Sequence, residues 1–292
     1  MLQMLSALFH IPEAESLAEA VERGGCPAAI TGLANVHRAQ LAAALSSRTN
    51  RPLVMLCCDE SEANRLAEDL QVLLGAQPRK LCARELFVRA GTVISHQWEM
   101  ARIATLFDLC SNTAAPIVCT AEGLLQKTTP KDRMESASFT LDPQERYDLD
   151  DLAERLVAAD YTRCDQVEGV GQFALRGGIL DIFSPLMEDP IRCEFFDDEI
   201  DSLGVFDTTT QRRIRNIDTA RILPATELLP GAEPASVFSY LPADAIICMS
   251  ESMRVAERVK SLLFQSREDT ESLLAAGEKD GDLTRLLLTQ SQ

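Results

Sequence analysis

The sequence predicts a discontinuous α/β domain with a mainly parallel sheet, into which an α+β domain with an antiparallel sheet is inserted. Short apolar runs alternate with helical patterns over residues 1–132, and such strand–helix repeats are typical of parallel sheets. Over residues 133–221 the pattern changes to one helix and several antiparallel-looking strands. After Pro224 the first pattern returns. We therefore assign residues 1–132 and 222–292 to the α/β domain and residues 133–221 to the insert.

The first segment contains patterns for five helices and three strands. We expect helices at Glu13–Glu22, Val36–Leu45, Asp59–Leu74, Trp98–Cys110 and Ala121–Gln126, and strands at Ala28–Ile30, Leu53–Cys58 and Ile117–Cys119. Asp59 and Glu62 stand at capping-box spacing at the start of the third helix, and Gly75 ends it. The cluster Thr128–Asp132 has the composition of a linker between this segment and the insert.

The later segments contain fewer helical patterns. In the insert, the sequence predicts one helix at Leu149–Ala159, followed by the strands. The last segment predicts an apolar strand at Ala245–Met249 and helices at Glu251–Phe264 and Thr270–Leu288.

The strand Ile191–Phe196 can be divided into two faces. Side chains alternate along a strand, so Ile191, Cys193 and Phe195 share one face and Arg192, Glu194 and Phe196 share the other. A large aromatic residue flanked by arginine on a charged face has the composition of a protein-binding hot spot. In the alternative interpretation, Phe196 packs under the following turn.

The composition favours protein partners over nucleic acid. A chain of 292 residues is long enough for about two domains. It carries 45 Asp and Glu against 28 Lys and Arg, a formal net charge of −17, whereas phosphate binding requires a basic surface. The apolar start Met1–Phe9 has no cationic flank and is too short to span a bilayer. We expect a cytoplasmic protein with no membrane partner.

Cysteine and histidine give no sign of a metal site. The nine cysteines are scattered, mostly through apolar runs, and contain no C-x-x-C pair. His10, His37 and His96 are far apart in sequence and show no ligand spacing. We therefore expect no metal, no disulfide framework and no cofactor.

The segment Gly32–Ala39 lies where the first strand–helix turn of a nucleotide-binding domain would hold a phosphate. It reads G-L-A-N-V-H-R-A in the frame of a P-loop, G-x-x-x-x-G-K-[ST], but only the first glycine is kept. His37, Arg38 and Ala39 stand in the slots of the second glycine, the lysine and the hydroxyl residue. In an intact P-loop, the second glycine allows close backbone approach, the lysine binds phosphate and the hydroxyl residue ligates Mg²⁺. The frame predicts a degenerate P-loop, or RecA-like, domain.

A long ordered motif in the insert resembles a known family. The insert reads R-G-G-I-L-D-I-F at Arg176–Phe183, R-C-E-F-F-D-D-E-I-D-S-L at Arg192–Leu203 and F-D at Phe206–Asp207. It resembles the UvrB-homology module of the bacterial transcription-repair coupling factor, and the excision-repair helicase UvrB has a similar run. The recognisable match extends from about Ala28 to Ser252 and is strongest in the insert.

The second half of the nucleotide site favours the coupling factor over UvrB. UvrB has an apolar strand that ends in Asp-Glu-Ser, where the aspartate organises Mg²⁺. The similar stretch here ends Met249-Ser250-Glu251-Ser252, so Ser250 replaces the aspartate. Glu251 alone is an ordinary acidic residue at a helix N-terminus. The chain also departs from the family in one place, because only the short segment Leu228–Phe238 stands where a longer helical insert is usual.

The resemblance implies a non-catalytic adaptor that binds the damage-recognition protein UvrA. In the family, two arginines and one phenylalanine form the centre of that contact, and they match Arg176, Arg192 and Phe196. Asp197, Asp198 and Glu199 are read as a solvated acidic turn. Other domains of the full-length coupling factor are further expected partners, and RNA polymerase and DNA would be reached only through domains absent from this chain.

Two other functions remain as alternatives. The first is a UvrB-type ATPase or helicase, which requires an intact P-loop. The second is an autoinhibitory fragment in which another domain masks the UvrA-binding face. An adaptor would bind UvrA without nucleotide, an ATPase would turn nucleotide over, and a masked fragment would do neither.

Overall fold

The computed structural model describes residues 5–84, 97–110, 115–185, 187–275, 277 and 287–288. The α-helices in this part of the chain are α1 Pro12–Glu22, α2 Asn35–Thr49, α3 Glu60–Leu74, α4 Gln97–Cys110, α5 Ala121–Leu125, α6 Lys131–Ala137, α7 Leu149–Ala158 and α8 Ser252–Ala275. The strands are β1 Leu53–Cys57, β2 Arg79–Leu81, β3 Ile117–Thr120, β4 Phe139–Leu141, β5 Thr162–Arg163, β6 Gln172–Arg176, β7 Ile179–Ile182, β8 Ile191–Phe196, β9 Glu199–Phe206, β10 Arg213–Asn216, β11 Ala220–Ile222 and β12 Ile246–Met249.

The chain divides into two compact units. The first comprises residues 1–91, 112–126 and 240–292, and the second comprises residues 92–111 and 127–239. These boundaries differ from the predicted ones, because they fall after residues 126 and 239 instead of 132 and 221, and residues 92–111 join the second unit. The domain ranges predicted from the sequence, 1–132 with 222–292 and 133–221, remain a prediction.

The first unit is built on a four-stranded parallel sheet in the order β12-β1-β3-β2. Its second strand, β1, reads LVMLC and is buried at every position, as expected for a parallel strand covered on both faces. Leu53, Met55 and Cys57 pack against alanine-rich α2 and against α3. Since β1 and β12 run parallel in register, Ser250 follows β12 beside the end of β1, and its N–H donates to the Leu56 carbonyl at 2.8 Å.

Helix α3 begins and ends where the sequence predicts. The Asp59 carboxylate accepts from the Glu62 N–H at 2.9 Å, and Gly75 closes the helix in the left-handed region, at φ 69°. The reciprocal half of the predicted capping box is not formed, because the Glu62 carboxylate accepts from the Cys58 N–H at 3.3 Å and from Ser250.

Two predictions for the first unit are wrong, and one strand was not predicted. The predicted strand Ala28–Ile30 forms no strand, and its three residues are exposed, because no neighbouring strand pairs with it in the described chain. Strand β2 was not predicted, since its sequence Arg-Lys-Leu gives almost no apolar signal. The helices predicted at 251–264 and 270–288 are one helix as far as residue 275, and residues 278–286 lie outside the described part.

The second unit contains a six-stranded sheet in the order β10-β9-β8-β7-β6-β5. Its strand pairs are antiparallel except β5 with β6, and β4 and β11 form a separate antiparallel pair. One face of the large sheet packs on α7 through a core of buried residues that includes Leu152, Leu156, Phe173, Leu180 and Cys193. The α7 N-terminus is capped by Asp148, whose carboxylate accepts from the N–H groups of residues 150 and 151 at 2.8 and 3.1 Å.

The predicted linker Thr128–Asp132 is also wrong. Thr128 and Thr129 are buried, Thr128 exchanges two backbone hydrogen bonds with Ala235 at 2.9 and 2.7 Å, and α6 begins at Lys131. The backbone groups of Thr128 are paired within the fold, as buried backbone groups require, so these polar residues do not form a solvated linker. The mixed α/β character, with one parallel sheet and separate antiparallel pairing, is confirmed. In the described residues, no helix combines the length and the apolar composition required to cross a bilayer.

Candidate functional site

The outer face of the six-stranded sheet carries the three residues predicted for protein binding. In β8, Ile191 and Cys193 are fully buried in the core, and Phe195 packs against the same core in a T-shaped contact with the ring of Tyr147. Phe196 points away and is 79% exposed. The predicted division of the strand into two faces agrees with this burial, and the alternative in which Phe196 packs under the following turn is wrong.

A buried carboxylate joins the two arginines of this face. Asp181 lies on β7 directly opposite Arg192 of β8, and its side chain is 1% exposed. Its Oδ1 accepts from Arg192 Nε at 2.7 Å, and its Oδ2 accepts from Arg192 Nη2 at 2.8 Å and from Arg176 Nη2 at 2.6 Å. Three charge-assisted hydrogen bonds therefore compensate the removal of this carboxylate from water. We call Arg176, Asp181 and Arg192 the arginine cluster.

The guanidinium of Arg192 contacts an aromatic ring and a glutamine in addition to Asp181. Its guanidinium stacks on the buried ring of Phe206, 4.4 Å from the ring centre, and donates to the backbone oxygen and Oε1 of Gln211 at 3.3 and 3.0 Å. The Asp181 carboxylate raises the pKa of Arg192. Arg192 is 17% exposed, whereas the Arg176 side chain is 45% exposed. Among the described residues, Asp181 is the hydrogen-bond partner of the Arg176 guanidinium.

Phe196 is presented by a tight hairpin. It pairs with Glu199 across a two-residue turn in which Asp197 adopts the left-handed region, at φ 59°. Arg146 fastens the turn from outside, because its guanidinium donates to both carboxylate oxygens of Asp198 at 2.9 and 2.8 Å and also bonds Glu199. Two residues of the predicted acidic turn, Asp198 and Glu199, are thus both ion-paired with one exposed arginine.

Sequence reasoning missed two members of this face. Asp181 is one of them, and the sequence signal that could have found it is the presence of an aspartate within a strand, where this residue is unusual. Arg213 was also missed: it donates to the Glu194 carboxylate at 2.8 Å and to Ser202 Oγ at 2.7 Å. Of the predicted residues, Arg176 and Arg192 meet at Asp181, and Phe196 lies at the end of the strand that carries Arg192.

The residues in the nucleotide-site slots lie in the first unit. Gly32, at φ 82°, and His37 are exposed, and Ala39 is fully buried in the core that α2 forms with the sheet. Arg38 Nη1 donates to Ser250 Oγ at 3.2 Å, and Nη2 bonds the Glu251 carboxylate. The structure thus brings Arg38, Ser250 and Glu251 together and leaves Gly32 and His37 outside that contact.

Glu62 completes this contact and was not predicted as part of it. Its side chain is 6% exposed, and its Oε1 accepts from Ser250 Oγ at 2.7 Å and lies 3.7 Å from Arg38 Nη1. Its Oε2 accepts from the Cys58 N–H and thiol, and burial raises the pKa of that thiol to about 11. Two carboxylates, those of Glu62 and Glu251, therefore lie within ion-pair distance of the guanidinium of Arg38. In the described residues, no group of histidine, cysteine and carboxylate side chains is arranged to hold a metal ion.

Comparison with known proteins connects the outer sheet face to a family. Residues 139–228 match the family model of the UvrB interaction domain. The chain is 34% identical over 229 residues to the transcription-repair-coupling factor of Myxococcus xanthus, and 27% identical over 259 residues to that of Bacillus subtilis strain 168. It is 32% identical over 201 residues to the transcription-repair-coupling factor of Staphylococcus aureus strain Mu50. These matches cover 73%, 88% and 68% of this chain.

The chain is a homologue of the transcription-repair-coupling factors and carries a UvrB interaction domain. That domain, residues 139–228, includes α7, strands β4 to β11, the arginine cluster and Phe196, whereas Arg38 and Ser250 lie outside it. The chain spans 19%, 22% and 17% of the three relatives, about a fifth of their length. The UvrB interaction domain therefore coincides with the sheet whose outer face carries the candidate site.

Proposed function

We propose that this chain is the non-catalytic adaptor module of a transcription-repair coupling factor, and that it recruits UvrA to stalled RNA polymerase. The observation that carries the proposal is the 79% exposed side chain of Phe196 on the same sheet face as the half-exposed Arg176, within the UvrB interaction domain. An exposed aromatic side chain and an arginine on one sheet face have the composition of an interface centre. RNA polymerase and DNA are reached through other domains of the full-length protein.

The binding chemistry follows from the two kinds of side chain. Phe196 supplies an apolar anchor for a pocket on UvrA, and Arg176 supplies hydrogen-bond donors for a carboxylate. Arg192 is largely enclosed by its own domain, so it contributes mainly by supporting the face. The partner surface therefore combines an apolar pocket with an acidic group beside it.

A degenerate RecA-like nucleotide site fits the contacts in the first unit. Arg38, in the slot of the P-loop lysine, is bonded by Glu251 and Ser250, and Ala39 has no hydroxyl with which to ligate Mg²⁺. Ser250, in the slot of the metal-binding aspartate, donates its hydroxyl to Glu62. These contacts support an adaptor over a UvrB-type ATPase, because the groups required for phosphate and metal are replaced or occupied.

Titration of purified UvrA against this chain, with and without ATP, tests the proposal. We expect saturable binding without nucleotide and ATP turnover no higher than that of UvrA alone. Turnover attributable to this chain would favour the ATPase alternative. Absence of both binding and turnover would favour an autoinhibitory fragment and would overturn the adaptor.

A further inference from the structure

We propose that Asp181 is the positioning residue of the interaction face, because it orders Arg176 for the partner through a buried carboxylate shared with Arg192. The inference rests on the proposed function. Asp181 is not expected to contact the partner, since its side chain is 1% exposed. It acts through the arginines.

The burial of Asp181 requires a reason. A carboxylate withdrawn from water is costly unless charged donors satisfy it, and apolar residues would stabilise a strand interior at least as well. In β7, Asp181 stands between Leu180 and Ile182, which are fully buried and point to the opposite face of the sheet. The carboxylate of Asp181 therefore points to the outer face. Arg176 and Arg192 satisfy the charge from both sides.

The contacts of the two arginines are unequal, and this defines their roles. Arg192 donates twice to Asp181, donates to Gln211 and stacks on Phe206, and only 17% of its side chain is exposed. Arg176 donates one hydrogen bond, from Nη2 to Asp181, and its side chain is 45% exposed. Arg192 therefore fixes the carboxylate, and the carboxylate in turn fixes one edge of the Arg176 guanidinium. The rest of that guanidinium is presented on the surface.

Ordering in the unbound state favours association. A free arginine side chain loses rotamer entropy when it is fixed in a contact. Asp181 restricts Arg176 before the partner arrives, so less entropy is lost on binding. The cluster also carries one net positive charge, from two guanidinium groups and one carboxylate, which suits a carboxylate on the partner.

A double-mutant cycle on the full chain separates this role from a structural one. Asp181→Asn removes the charge with little change in volume, and Glu194→Gln is the matched control, since Glu194 lies on the same face but bonds Arg213 and Ser202. We expect Arg176→Ala to weaken UvrA binding about 30-fold in the parent chain and less than about threefold in the Asp181→Asn chain. In the Glu194→Gln chain the full loss should remain. Equal losses in all three backgrounds would overturn the proposal.

Nuclear magnetic resonance of the arginine side chains gives a readout without UvrA. Relaxation of Nε in Arg176 and Arg192 should report ordered side chains in the parent and Glu194→Gln chains, and a mobile Arg176 in the Asp181→Asn chain. An unchanged Arg176 would overturn the positioning role even if UvrA does not bind. Failure of UvrA to bind the parent chain, with the expected relaxation change, would overturn only the proposed function.

A second variant covers the case in which Asp181→Asn fails to fold. The pair Asp181→Leu with Arg192→Met replaces the buried ions by apolar side chains of similar volume, which is often neutral for stability. Arg176 then keeps its place on β6 without its anchor. We expect a folded chain in which Arg176→Ala has little further effect on UvrA binding, whereas an undiminished effect would overturn the proposal.

Discussion

Phe195 and Phe196 show how adjacent residues of one strand serve different purposes. Phe195 packs against the core and meets Tyr147 edge to face, with ring centres 6.4 Å apart, while Phe196 is 79% exposed. Buried aromatic rings contribute much of the stability of a small core, whereas an exposed ring contributes almost none. Substitution of Phe195 should therefore affect folding, and substitution of Phe196 should affect binding.

We predict that Phe195→Ala lowers the free energy of unfolding by about 3 kcal/mol, the lower end for a phenylalanine because its burial is partial. Phe196→Ala should change the free energy of unfolding by less than about 0.5 kcal/mol. Urea unfolding of both variants and the parent chain measures this difference. If Phe196→Ala is the more destabilising of the two, the assignment of the strand faces is wrong.

At the scale of single elements, local chemistry sets the ends of helix α3. Asp59 caps its N-terminus, and the hydrogen bond from the Glu62 N–H lowers the pKa of the Asp59 carboxyl. A carboxyl whose folded pKa lies below its unfolded value stabilises the fold when ionised. This stabilisation is fully present above the unfolded pKa of about 3.9 and is lost as the pH falls through the lower folded pKa.

We predict that Asp59→Ala lowers the free energy of unfolding by about 1 kcal/mol at pH 7. The gap between the variant and the parent chain should narrow as the pH falls below about 4, since the parent then loses its ionised cap. Denaturant curves at pH 7 and at acidic pH measure both effects. A gap that widens in acid would contradict the capping role.

The same scale shows what the sequence could predict. The long helices were predictable because their hydrophobic period and their capping residues agree, and the strands β1, β3 and β12 were predictable because they are apolar runs. Ala28–Ile30 was predicted as a strand on composition alone, but a strand also requires a neighbour with free hydrogen-bonding groups, and composition does not supply that information. Alternation placed Phe196 on the charged face of its strand but left open whether the ring packs under the following turn.

Other parts of the candidate site were not predictable. Asp181 and Arg192 lie on consecutive strands and meet through the β7–β8 register, and Glu62 reaches Ser250 through the pairing of β1 with β12. Residue spacing contains neither register. The resemblance to a family predicts Arg176, Arg192 and Phe196 as binding residues, but it gives no information about the carboxylate that joins the arginines.

At the scale of the whole molecule, the net charge of −17 and the pairing of Arg38 with carboxylates both argue against nucleotide as a ligand. We predict no rise in melting temperature with Mg-ATP, because Arg38 is balanced by Glu251 and Glu62. ATP at about a hundred times its dissociation constant would stabilise the fold by roughly 2.7 kcal/mol, which thermal unfolding resolves easily. A clear shift with Mg-ATP would contradict the degenerate site.

We also predict that this chain does not retain duplex DNA at physiological salt. Its net charge of −17 repels phosphate, and the exposed Arg146 already bonds Asp198 and Glu199. Fluorescence anisotropy with labelled duplex at physiological and at low salt measures this. Micromolar affinity at physiological salt would mean that protein binding is not the only function.

The central claim is that Phe196 anchors a protein interface, and equilibrium titration of UvrA tests it most directly. The parent chain is compared with Phe196→Ala and with Ile214→Ala, a control that removes a 53% exposed apolar side chain from β10 of the same sheet. We predict that Phe196→Ala weakens binding by about 30-fold or more, and that Ile214→Ala changes it by less than about threefold. Equal affinity of the Phe196→Ala variant and the parent chain, with both folded, would contradict the account.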